Sequence, residues 1–188
     1  MRTHVALLRG INVGTQTRFA MSDLREIVAS LGHEDVATYI QSGNVVFTSP
    51  EADVTRLADD LEAAISARVG LHPSVVVLTR DDLARVIAGN PYPEAESPKL
   101  LHAVFRRDEM TAEQVAAVAV AQQRARDKGS PDEATVAGRA LYLHTPGGLG
   151  RSELAAQLAR AGQAMSPRGG GTARNWATVT KLMSMLED

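Results

Sequence analysis

Apolar and polar positions fall in short blocks along this chain, and the period changes from block to block. Residues 4–8 (HVALL) are mostly apolar, are soon followed by Gly10, and predict a strand. Ser22 stands where it could cap a helix, with Leu24, Ile27, Val28 and Leu31 at helical spacing and Gly32 as the stop. Residues 38–41 and 45–48 favour strands and flank Ser42-Gly43-Asn44, a hairpin signal. Ser49, with Pro50 after it, is expected to cap a second helix that carries Leu57, Leu61, Ala64 and Ile65 to Gly70. Residues 74–78 (SVVVL) predict a buried strand. The order β-α-β-β-α-β is the split βαβ pattern of ferredoxin-like folds.

A short helix is expected over 81–88. Residues 90–98 (NPYPEAESP) then break regular structure with three prolines. A strand over 100–106 follows. Thr111 and Gln114 form a capping box before an alanine-rich helix ending near Lys128. Residues 134–137 and 140–144 pair around Gly138-Arg139. A helix over 152–161, the glycines at 169–171 and a last helix over 173–186 complete the chain. This half reads α-β-α-β-β-α-α and partly echoes the first, without a visible sequence repeat. The expected class is α+β. A ferredoxin-like half (1–89) is joined by a linker (90–98) to a smaller α/β half (99–188) with C-terminal helices.

The 188 residues suffice for one sizeable domain or two small ones, and 44% hydrophobic with 22% charged is ordinary globular composition. A net charge of -2 argues against binding polyanions by bulk electrostatics. The charge is uneven, however. Between Arg139 and Lys181 stand six basic side chains and only Glu153 against them, which reads either as an anion site or as a solvated basic face. The absence of cysteine removes disulfides, thiolate metal ligands and cysteine nucleophiles, and fits a reducing compartment. The apolar run 5–8 is too short for a signal-peptide core, and no run reaches membrane-spanning length. A cytoplasmic protein with no membrane partner is therefore expected. The histidines lack metal spacing, and HExxH and GxSxG are absent. Neither a metal nor a cofactor is expected.

Three motifs exceed what folding demands: RGINVG (9–14), TYIQSGNVVF (38–47) and TARNWATV (172–179). Each mixes Arg, Asn or Ser with nearby glycine beside a loop, where function concentrates. The candidate ligand-binding residues are Arg9, Asn12, Ser42, Asn44, Arg151, Arg174 and Asn175. Thr172 is expected to cap the last helix, placing Arg174 in its first turn and an anion at its N-terminus. In the competing reading Arg174 pairs with a carboxylate of the protein. Residues 147–152 (GGLGRS) lie between a strand and a helix but fail as a P-loop. Thr145 replaces the first glycine and Arg151 the lysine, which leaves a looser anion nest. Asn12 could instead bond backbone, and Ser42-Gly43-Asn44 could be a plain turn.

Together with MSDLR (21–25), these motifs resemble the bacterial family called domain of unknown function 1697, from about residue 4 to residue 186. Thr15 departs from it, standing where a second glycine after Gly14 is expected. The resemblance implies an α+β, ferredoxin-like architecture, and it carries no established activity or catalytic residues. The function expected is binding of an anionic, phosphate- or carboxylate-bearing ligand such as a nucleotide or metabolite. The alternatives are a metal-independent enzyme acting on such a molecule and a protein-interaction module. Nucleic acid is not favoured, because only Tyr39 and Phe47 could stack on bases and no RNP-type motif occurs. The motif loops are expected to converge on one site.

Overall fold

The computed structural model describes residues 1–12, 19–160 and 171–188. The chain forms two compact units, Met1–Arg85 with Lys181–Asp188, and Val86–Thr180. The division falls inside two helices, and residues 90–98 lie on the second unit's side of it. Tyr92 of that segment bonds Thr135 Oγ1 at 2.8 Å and packs on the His144 ring.

The first half runs β1 (His4–Arg9), α1 (Met21–Ser30), β2 (Glu34–Tyr39), β3 (Asn44–Thr48), α2 (Val54–Val69), β4 (Ser74–Thr79) and α3 (Arg80–Ala88). Its antiparallel sheet has the order β2-β3-β1-β4. Ala6, Leu8, Val45, Phe47, Val75 and Val77 face a core built with Leu24 and Ile27 of α1 and Leu57, Leu61 and Ile65 of α2. The opposite face is buried too, at Val5, Leu7, Val46, Val76 and Leu78. That explains why β1 and β4 are apolar almost throughout rather than alternating.

The second half runs β5 (Leu101–Phe105), α4 (Ala112–Asp127), β6 (Glu133–Ala137), β7 (Ala140–His144), α5 (Glu153–Arg160), β8 (Thr172–Asn175) and α6 (Trp176–Glu187). Its sheet order, β6-β7-β5-β8, is the first sheet's order renumbered. Both halves are thus α+β with the split βαβ plan, and each ends in one further helix. The core of the second joins Val104, Leu141 and Leu143 to Val118, Ala121 and Ala125 of α4 and to Leu154 and Leu158 of α5.

The strand β8 corrects the expected order of the second half. The sequence places residues 173–175 in the first turn of the last helix, with Thr172 as its cap. They pair instead with β5, from Phe105↔Thr172 to His102↔Asn175, and satisfy a strand edge that would otherwise stay open. Gly171 permits this approach, since a Cβ there would lie 2.1 Å from the Phe105 carbonyl oxygen.

Three helix starts also move. α1 begins at Met21 with no side-chain cap, and Ser22 sits inside its first turn. α2 begins at Val54, because Asp53 Oδ1 accepts from Thr55 and Arg56 N–H, while Ser49 Oγ accepts from Glu51 N–H in a local turn. α6 begins at Trp176, capped by Asn175 Oδ1 accepting from Thr178 N–H at 2.9 Å. The Thr111–Gln114 capping box and the left-handed Gly70 stop stand as the sequence implies.

Candidate functional site

Of the three motifs, the first two meet within the first unit. Gly43 has φ 78°, and a Cβ on it would fall 2.6 Å from Ile11 Cδ1 and 2.7 Å from Leu8 Cβ. Only glycine lets the hairpin turn lie on the end of β1. Leu8 N–H donates to Gly43 O at 2.8 Å. Asn12, at φ 51°, accepts from Phe19 N–H (2.7 Å) and donates to Phe19 O (3.0 Å) and Gln41 O (2.8 Å). Its amide therefore ties the chain on either side of residues 13–18 to the hairpin. Asn44 is fully buried and donates to Tyr39 O and Ser42 Oγ, both at 3.0 Å, across the turn. Arg9 ends β1, half-buried, opposite Ser74. Asn12 and Asn44 thus hold backbone, and Ser42 Oγ accepts from the Asn44 amide. Val13, Gly14 and Thr15 lie outside the described residues.

The third motif belongs to the second unit. Arg174 stands on β8, not in a helical first turn, and is buried. It donates to Thr172 Oγ1 (2.7 Å) and Ala173 O (2.9 Å), and burial pushes its pKa down to about 10, so it remains a cation at neutral pH. The helix-terminal anion site drawn through Thr172 and Arg174 is therefore withdrawn, since both precede α6. Trp176 is the first residue of α6. Arg151 is exposed in a 3₁₀ turn, Leu149–Arg151. Arg168, Gly169 and Gly170 lie outside the described residues.

The sequence reading missed a cavity of about 430 Å³ at the end of the first sheet, where β1 starts and β3 and β4 finish. Arg2, Thr3, His4, Ser49, Thr79 and Arg80 are among its walls. Arg2 donates to Asp35 O and Met185 O, the latter a carbonyl of the last turn of α6, where a cation is favoured. Arg80 reaches Met1 Sδ at 2.9 Å and Asp81 at 3.7 Å. Thr79 Oγ1 accepts from Asp82 N–H, and Asp82 returns a bond from Thr79 N–H, which fixes the corner between β4 and α3.

His4 is buried on β1 and stacks on Phe47, whose ring also stacks on His33. Burial, then the neighbouring His33, hold the His4 pKa below its ordinary value, against the pull of Asp82 and Glu51. His4 Nδ1 shares a 2.8 Å hydrogen bond with Thr3 Oγ1, while Nε2 is buried without a partner. The cavity thus offers guanidinium and hydroxyl donors beside a neutral imidazole, with Glu51 and Asp81 also in its walls. Among the described residues no group of three or more His, Asp or Glu could hold a metal ion, and no helix is long and apolar enough to cross a membrane.

A family model described as a protein of unknown function, DUF1697, matches residues 1–142. The chain belongs to that family. The match spans the first two motifs and stops before the third. A search of curated proteins returned no match. Among solved structures, this DUF1697 chain is similar to the conserved bacterial protein SP0830 from Streptococcus pneumoniae. The two are 22% identical over 98% of each chain, with a TM-score of 0.73, a likeness of fold.

Proposed function

We propose that the protein binds a small oxyanion, the phosphate or carboxylate group of a metabolite or nucleotide, in the cavity of the first unit. The cavity itself carries this reading. Its volume of about 430 Å³ falls among small-ligand sites, which run roughly 300–1,000 Å³. Arg2 and Arg80 supply cations, and the Thr3, Ser49 and Thr79 hydroxyls are neutral groups able to donate to an oxyanion. This keeps the ligand class expected from the sequence and moves it away from Arg9, Asn12, Ser42 and Asn44. Isothermal titration with inorganic phosphate, citrate and a nucleoside monophosphate tests it. Arg80→Ala should weaken binding by about 1.5–3 kcal/mol, the worth of a hydrogen bond to a charged group. The backbone bond from Arg80 N–H to Thr3 O survives that substitution. Flat titrations of the wild-type protein with all three ligands would overturn the proposal.

A further inference from the structure

The repeated topology makes residues of the two units comparable position by position. His4 lies opposite Phe47, the fourth residue of β3, and opposite Thr79, the last of β4. His102 lies opposite Leu143, the fourth residue of β7, and opposite Asn175, the last of β8. The two histidines are therefore equivalent in all three strands. Each stands on the helix-covered face, His4 with Ala6 and Leu8, His102 with Val104. Thr79 and Asn175 are equivalent as well, since each bonds the N–H three residues on at the start of the following helix. After the third strand of each unit comes a hydroxyl residue and a proline, Ser49-Pro50 and Thr145-Pro146.

The equivalence extends to unmet hydrogen-bonding capacity. His4 Nε2 and His102 Nδ1 are both buried without a partner. Buried polar atoms are rarely left so, and two at equivalent positions call for a common explanation. Directly opposed residues of an antiparallel pair have Cβ atoms about 5 Å apart on the same face, so His102 and Asn175 are neighbours. Asn175 Oδ1 is occupied by Thr178 N–H, whereas its Nδ2 has no acceptor among the described residues. A neutral imidazole contributes one N–H and the amide two more, a set of donors with no charge of its own.

We propose that the second unit has its own ligand site at His102 and Asn175, equivalent to the cavity at His4 and Thr79, and that it takes a carboxylate or phosphate oxygen. The assignment rests on the oxyanion reading of the first unit. The adjoining loop suits it. Gly147 and Gly148 replace Glu51 and Ala52, so no carboxylate stands there, and a Cβ on either glycine would meet nothing within 4 Å. Trp176 takes the position of Arg80, so this site holds its ligand with amide and imidazole donors beside an indole rather than a guanidinium.

The imidazole Cε1–H resonances of His4 and His102, followed while inorganic phosphate and then acetate are added, read each site separately. Asn175→Asp and Asn175→Ser keep an N-cap oxygen for α6 but remove the amide donors. In the wild-type protein both resonances should move saturably. In either Asn175 variant the His102 response should weaken at least tenfold while His4 responds as before and the melting temperature holds. A His102 resonance that stays still in the wild-type protein while His4 moves would sink the second site alone. A His102 response that survives in both variants would also sink it. A His4 resonance that stays still while His102 moves would overturn the first-unit reading, and two still resonances would end both.

Discussion

The turn between β2 and β3 and its counterpart between β6 and β7 close the same topology by different means. In the first unit the turn covers residues 40–43, with Ile40 at φ 50° and Gly43 at φ 78°, and the buried Asn44 amide spans it. Asn12 then fastens the turn to the chain that follows β1. In the second unit the turn is two residues, Gly138 and Arg139, between Ala137 and Ala140, and neighbouring strands need no amide to hold it. The first strand of each unit keeps the same register with both neighbours, and β2 shifts against β3 only between Glu34 and Ala37, away from the turn, so the sheet plan does not require the first unit's amides. RGIN and QSGN are in that sense local architecture: an unusual loop and an unusual turn that fix one another. The second unit departs elsewhere, in the bare loop at Gly147-Gly148 and in a buried arginine on an edge strand.

Glycine substitutions put the largest strain on this comparison. Gly171→Ala sets a methyl against the Phe105 carbonyl and should push β8 off β5, at about 3 kcal/mol or more. Gly43→Ala combines a left-handed φ with contacts to Ile11 and Leu8, and should cost about 2–4 kcal/mol. Gly147→Ala meets open space and should stay within about 0.5 kcal/mol of the wild-type protein. Urea unfolding measures all three. A Gly43→Ala protein as stable as Gly147→Ala would show that the motif glycine has no steric duty and return it to the functional candidates.

The difference between these glycines also shows what the chain made legible. Gly43 stood out because a hairpin turn has its own residue code, and apolar runs bounded by turn residues placed β1, β3 and β4, whereas β2 runs Glu34–Tyr39 and only its end falls within the expected 38–41. β8 was hidden because Thr172 and Arg174 occupy its buried face in place of apolar residues. A polar strand is invisible to a hydrophobic pattern, and its partner β5 lies about seventy residues away in sequence. The repeat was obscured for the same reason, although HVALLR beside HAVFRR and TSP beside HTP leave a faint trace. The candidate site is less legible. Asn12, Ser42 and Asn44 were chosen for residue type, and residue type cannot say whether an amide faces a ligand or backbone. His4 and Arg80 are not legible as neighbours in the sequence, because they meet only where the ends of three strands assemble one cavity.

Acid should separate the units further, with an effect smaller than that of the glycines. Burial lowers the pKa of His4, His33 and His102 below 6.5. The unfolded chain therefore takes up protons first as pH falls, so each histidine's share of stability is present above 6.5 and is lost progressively below it. In the first unit His4 and His33 also repel one another once charged, while burial alone acts on His102. Amide exchange should accordingly lose protection in β1 before β5 as pH drops from neutrality. His33→Gln should flatten the pH dependence in β1 and leave β5 as it was. Equal loss in both strands would mean that the His4–Phe47–His33 stack makes no difference between the units.

The smallest contrast lies in the first crossover helix of each unit. α4 opens on a reciprocal box, Thr111 Oγ1 accepting from Gln114 N–H at 3.2 Å and Thr111 N–H donating to Gln114 Oε1 at 3.0 Å. α1 opens on Ala20, whose extended φ −72°, ψ 139° is the backbone of a cap without the side chain. Thr111→Ala should therefore cost about 1 kcal/mol, whereas Ala20→Ser should add about 0.5–1 kcal/mol. Ala20 is exposed, and Asp23 stands at the position where an acidic side chain can complete the box. The opposite signs make the pair informative, because a general sensitivity of either unit to substitution would move both values the same way. If Ala20→Ser destabilises instead, the first turn of α1 is held by its surroundings in a geometry that a hydroxyl cap disturbs. The missing cap would then belong, like Asn12 and Gly43, to the tightly tied end of the first unit.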